Sequence, residues 1–195
     1  MTPRERVRAA LAHKEPDRVP MDLGGAVSCI HMRAYERLIE CLGVKAKPKL
    51  SDKIQQLAKP DEEVLQALRI DFRHIGLKKG FFVGAEDRYD DPSGRPYFVD
   101  EWGIKWGKNP YYYDMMDRPL KDATLEDLEK YDWPDPKDPE RYEGLREEAK
   151  NLYYSTDYAL VADAIFGGIF ECAWWLRGFE TFILDMHKRP EFAEA

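Results

Sequence analysis

Three times in this chain an apolar segment runs into a short loop and then into a helix, and that alternation limits the available folds more than any other feature. The segments are RVPMDL at 18–23, ALRIDFRHI at 67–75 and DYALVAD at 157–163. Twice the loop that follows holds a glycine pair, Gly24-Gly25 and Gly167-Gly168. Read as buried strands that alternate with helices, the segments predict parallel pairing under helical cover, an α/β fold. Right-handed crossovers then place the helices outside if the sheet closes. Three strands cannot close a barrel, and a barrel of eight takes roughly 200 to 400 residues. The chain has 195 residues and breaks off in PEFAEA, an amphipathic start. The expectation is therefore the N-terminal half of a larger α/β domain.

Local signals fill in the rest. Thr2-Pro3 reads as an N-cap and first helical position for a helix over RERVRAALAH. Helices are also predicted over 34–42, ending at Gly43, and from the acidic start Pro60-Asp61-Glu62-Glu63. Residues 80–107 carry a DPSG turn between aromatic-rich alternating segments, which predicts a β-hairpin excursion. Thr124, with Asp127 three residues on, predicts a capped helix. Further helices are expected over 139–154, over about 169–188 and from Pro190.

Composition excludes several functions. With 30 Lys+Arg against 37 Asp+Glu the net charge is −7, whereas phosphate binding needs a clustered basic face, so a nucleic-acid partner is not expected. No apolar run reaches the ~18 residues of a membrane span, and the N-terminus is too charged for a signal peptide. Cys29, Cys41 and Cys172 are odd in number and widely spaced, as expected of free thiols in a reducing cytoplasm. The chain contains no CxxC, HExxH, GxxxxGK[ST] or GxSxG.

Candidate site residues cluster at the ends of the three segments, where α/β folds place their sites. Asp22 lies within the first and Asp163 closes the third; each is a candidate catalytic carboxylate, or else is tied to a backbone N–H, an Arg or the next helix. Gly24, Gly25, Ser28, Cys29 and His31 form the loop after the first segment and are candidate substrate contacts. The alternatives are a cap for Ser28 and His31 and apolar packing for Cys29. Cys29 and His31 alone are too few for zinc, which takes three or four ligands, and no metal ligand is assigned. His74 either faces the site or is a satisfied core histidine. Of the adjacent Trp174 and Trp175, one belongs to the core and the other, taken as Trp175, walls a substrate pocket.

In their order these parts resemble the uroporphyrinogen decarboxylase superfamily. The matching stretches are MTPRERVRAALAHKEPDRVPMDLGG, IHMRAYERL, QLAKPDEEVLQALRIDFRHI, DEWGIKWGKNPYYYDM, RPLKDATLEDLEKYDWPDP and GGIFECAWWLRGFETFILDM. The resemblance implies a cytoplasmic (β/α)8 enzyme acting on a small molecule, of which this chain is the N-terminal part with the hairpin as an insertion and the C-terminal half absent. One branch decarboxylates uroporphyrinogen without a cofactor. The other consists of zinc-dependent methyltransferases that exchange methyl groups with corrinoid (cobalamin) carriers and thiols. Three departures favour the second branch. GGAVSCIHMR offers only Arg33, in the helix and not in the loop, where several arginines would grip carboxylates; HIGLKKG lacks the decarboxylase aspartate, and Trp175 stands where the family's tyrosine would. The resemblance thus implies zinc, held by residues of the barrel's second half, and a corrinoid protein partner. Decarboxylation of a carboxylated tetrapyrrole is the alternative chemistry. A non-catalytic half-barrel that completes itself with another chain, such as a second copy, is the alternative class.

Overall fold

The computed structural model describes residues 1–80, 85–163 and 167–195. The chain forms two compact units, Met1–Lys79 with Pro139–Ala164 and Gly80–Asp138 with Ile165–Ala195.

The first unit opens with the helix Pro3–Leu11. The Thr2 hydroxyl accepts from Glu5 N and the Glu5 carboxylate accepts from Thr2 N, a capping box with Pro3 in the first turn. The helix Met32–Leu42 ends at Gly43, whose φ of 66° is the left-handed conformation that glycine adopts at little cost. Its Tyr35 is fully buried against Ala58 and Val64, and Leu38, Ile39 and Leu42 pack on that small core. Ala58 comes from an antiparallel pair, Lys49–Asp52 with Leu57–Lys59, that the sequence reading did not foresee, and Val64 from the helix Glu62–Ala67.

Two of the three expected strands are present and parallel. Phe72–Ile75 pairs with Ala159–Ala162 in the register Phe72↔Ala159 through Ile75↔Ala162. The third expectation is corrected: 18–23 is not a strand and is not buried. Pro20 has no N–H to offer a ladder. Met21 N donates to the Asp71 side chain, and Asp71 N donates back to Met21 O. Val19 is 78% and Met21 41% exposed. What holds this segment is charge. Asp71, fully buried, accepts from Arg6 Nη1 at 2.6 Å and Arg18 Nη1 at 2.7 Å, while Arg6 also grips Asp17 through Nε and Nη2. The helix expected over 139–154 is also corrected. A 3-10 turn, Pro139–Tyr142, is followed by the helix Leu145–Ser155, and Gly144 at φ 67° separates them.

The second unit contains an antiparallel sheet of three strands in chain order, Tyr97–Val99, Lys105–Lys108 and Tyr113–Asp117. The excursion expected over 80–107 therefore extends to Asp117. The DPSG turn is present, with Gly94 N bonded to Asp91 O and an isolated bridge between Arg88 and Tyr97. Residues 81–84, the start of that expected hairpin, lie outside the described residues. Buried Asp100 closes the turn between the first two strands by accepting from Trp102 N, Ile104 N and Trp106 Nε1. The helix Leu125–Lys130 has the expected Thr124–Asp127 capping box. The long helix expected over 169–188 is two, Gly168–Arg177 and Phe179–Lys188, broken at Gly178, whose φ of 103° disfavours any side chain. A last turn follows at Pro190–Ala193.

The chain is thus mixed α/β, with three small sheets and no closed barrel among the described residues. No helix among them is long and apolar enough to cross a membrane.

Candidate functional site

In the first unit the two parallel strands end side by side, and the segment that precedes Gly24 meets them there. His74, next to last in its strand, is hydrogen-bonded through Nδ1 to Asp163 Oδ1 at 2.8 Å and through Nε2 to Asp22 Oδ1 at 2.8 Å. Each member comes from a different piece of chain. Asp163 follows directly on the strand Ala159–Ala162, and its N–H continues the ladder by donating to Ile75 O. Asp22 follows Met21, which Asp71 anchors. The two carboxylates are partly exposed, at 32% for Asp22 and 28% for Asp163, while the ring between them is 11% exposed.

The glycine pair makes room for this arrangement. A Cβ at Gly25 would stand 2.4 Å from His74 Cε1 and 3.2 Å from Asp163 Oδ1, so the ring lies against bare backbone. Gly24 has φ 127°, and a Cβ there would touch His74 Cδ2 and the Pro60 ring. The loop then closes on itself: Gly25 N donates to Ser28 Oγ at 3.0 Å and Ser28 N donates to Gly25 O.

Electrostatics set the ring's state. Burial works against its charge, but the hydrogen bonds and negative charges of Asp22 and Asp163 outweigh burial and raise the His74 pKa above its ordinary value. Cys29 stands differently. Its half-buried thiol donates to Ala58 O at 3.4 Å, and burial, with Asp163 and Asp52 adding to it, raises its pKa against a lowering hydrogen bond from Ser51. It is held as the thiol, a poor nucleophile at neutral pH.

The structure therefore brings Asp22, Gly24, Gly25, His74 and Asp163 into contact, with Ser28 bracing the loop. His31 sits at the start of the helix Met32–Leu42, where its Nδ1 accepts from Arg33 N at 3.2 Å. Trp175 belongs to the second unit, where it is 7% exposed and meets Trp106 edge to face, with ring centroids 5.7 Å apart. Pro60, which flanks Gly24, was legible in the sequence only as part of a helix start. Zinc wants at least three donors, and no group of three or more His, Cys, Asp or Glu side chains among the described residues is placed to hold a metal ion. The zinc that the family resemblance implies has no donor set among these residues.

Comparison with family models, curated proteins and solved structures finds no match to the chain.

Proposed function

We propose that this chain is part of a uroporphyrinogen decarboxylase-like (β/α)8 enzyme of the methyltransferase branch, and that Asp22 and Asp163 are its reacting carboxylates. The observation that carries the reading is the Asp22–His74–Asp163 constellation at the carboxyl ends of two parallel strands, beside a glycine-paired loop. Barrel enzymes build their sites from the ends of several strands at that face. The segment 18–23, though not itself a strand, lies beside Asp71, and Phe72–Ile75 lies beside Ala159–Ala162, so the three pieces neighbour one another in chain order, as consecutive pieces of such a barrel would.

The chemistry of the constellation favours methyl transfer over work on a poly-carboxylated tetrapyrrole. Ionised carboxylates only accept hydrogen bonds. Two of them around one imidazole repel a carboxylate substrate and suit a hydroxyl, thiol or amine. When such a heteroatom takes up a methyl group, its proton passes to Asp22 or Asp163; in the reverse direction the carboxyl returns it as the methyl leaves. A corrinoid protein, docked as a partner, would carry the methyl group. Nothing in this step runs through zinc.

The test is spectroscopic. The purified protein is incubated with cob(I)alamin and, in turn, methanol, methylamine, a methyl thioether and a methoxyarene. The expected result is conversion to the methylcobalamin spectrum with at least one donor, reduced roughly 100-fold or more in Asp22→Asn and Asp163→Asn, as loss of a general acid or base costs. No conversion with any donor, or release of carbon dioxide from uroporphyrinogen instead, overturns the reading.

A further inference from the structure

Within the site, the three side chains have different duties. An ionised carboxylate has no proton to give, so an imidazole nitrogen facing one must bring its own. His74 faces one on each side, Asp163 Oδ1 at Nδ1 and Asp22 Oδ1 at Nε2, both at 2.8 Å. A neutral ring carries a single N–H, and would leave a lone pair pointed at one of the two oxygens. With both carboxylates ionised, both contacts are hydrogen bonds only if the ring carries both protons.

The surroundings hold the ring in this place. The backbone of Gly25 lies against the Cε1 edge, close enough that a single added carbon would collide with it. Gly24 and Pro60 lie on the Cδ2 side. Asp22 and Asp163 are the charged groups that act on the ring. A ring hemmed in this way cannot swing to a substrate without abandoning a carboxylate.

We propose that His74 is a positioning residue: a doubly protonated imidazolium that bridges Asp22 and Asp163 by their Oδ1 atoms, presents their Oδ2 atoms to the substrate, and exchanges no proton in the reaction. This rests on the reading of Asp22 and Asp163 as the reacting groups. The bridge is also what joins 18–25 to the end of the strand Ala159–Ala162.

Long-range proton–nitrogen correlation NMR on the protein labelled with 15N-histidine tests it, with His74→Asn identifying the signal. No methyl donor is needed, so the result is independent of whether the methyl-transfer assay succeeds. At about pH 7.5, where an ordinary imidazole with a pKa near 6.5 is roughly nine-tenths neutral, both His74 nitrogens are expected at imidazolium shifts. The titration midpoint is expected to fall in Asp22→Asn and again in Asp163→Asn. A neutral tautomer in the wild-type protein at that pH overturns the assignment, and that measurement decides alone if a variant fails to fold. So does a midpoint that neither folded variant moves. Where turnover is measured, its pH profile is expected to fall through the His74 midpoint, because a ring that has lost one proton no longer holds both carboxylates. A profile flat across that midpoint defeats the proposal.

Discussion

Between its two carboxylates His74 holds a proton more tightly in the folded chain than an unfolded chain does, where imidazole titrates at about 6.5. The unfolded state therefore releases the proton first as pH rises. The stabilisation is complete below about pH 6.5 and is lost as the pH climbs through the higher folded value. Urea denaturation of the wild-type protein should show stability declining over that window, and His74→Asn should remove the decline; parallel pH dependences in the two proteins would reject the coupling. Asp22, His74 and Asp163 were each visible in the sequence as polar residues beside apolar segments. That they share one set of hydrogen bonds was not visible. It depends on the parallel register Ile75↔Ala162, which puts Asp163 next to His74, and on Gly25 leaving the ring its space. His31, read either as a substrate contact or as a helix cap, stands at the cap position of the helix Met32–Leu42.

Elements were legible where the signal is local. The Thr2 N-cap and the Thr124–Asp127 capping box were already given by the residues and their spacing, although Glu5, which completes a box with Thr2, was not read as its partner, and the helix over 34–42 begins only two residues earlier, at Met32. Breaks within helices were harder to read. A lone glycine such as Gly144 or Gly178 is compatible with a continuous helix, and only its backbone angle shows that the chain turns. The segment 18–23 failed for another reason. Its Val, Met and Leu give the composition of a buried strand, yet it is pinned from the side by Asp71, which grips the segment's own Arg18 and Met21 N and is itself held by Arg6. Removing one partner from a buried ion pair typically costs about 3–5 kcal/mol, because the other charge is left without compensation. Asp71→Ala should therefore lower unfolding free energy by that order in urea titration, while an exposed pair such as Lys130–Glu126 should contribute well under about 1 kcal/mol. A loss below about 1 kcal/mol for Asp71→Ala would show that the network does not hold the segment.

At the level of the whole molecule, mixed α/β class followed from the alternation of segments. The division into two units did not, because each is assembled from two separate stretches of sequence. The reading of 80–107 as an excursion caught part of this, but pairing to Asp117 and the later helices of the same unit are contacts that no local pattern announces. A chain ending at Asp138 would retain the strand Phe72–Ile75 and lose Ala159–Ala162, its only partner in that sheet among the described residues. Such a fragment is expected to bind the dye ANS and to unfold without a cooperative transition, whereas the unit that keeps Ala159–Ala162 in the 195-residue chain is expected to unfold cooperatively. A sharp transition in the fragment would mean that the first stretch folds unaided.

The same interleaving dictates a timetable for synthesis. Phe72 leaves the ribosome long before Ala159 does, and until then the strand's open edge is exposed to every other nascent chain nearby. Edges left unpaired this way are where aggregation starts. A pause in translation just ahead of codon 159 would prolong that exposure, and a chaperone's service to this polypeptide would fall in the same interval.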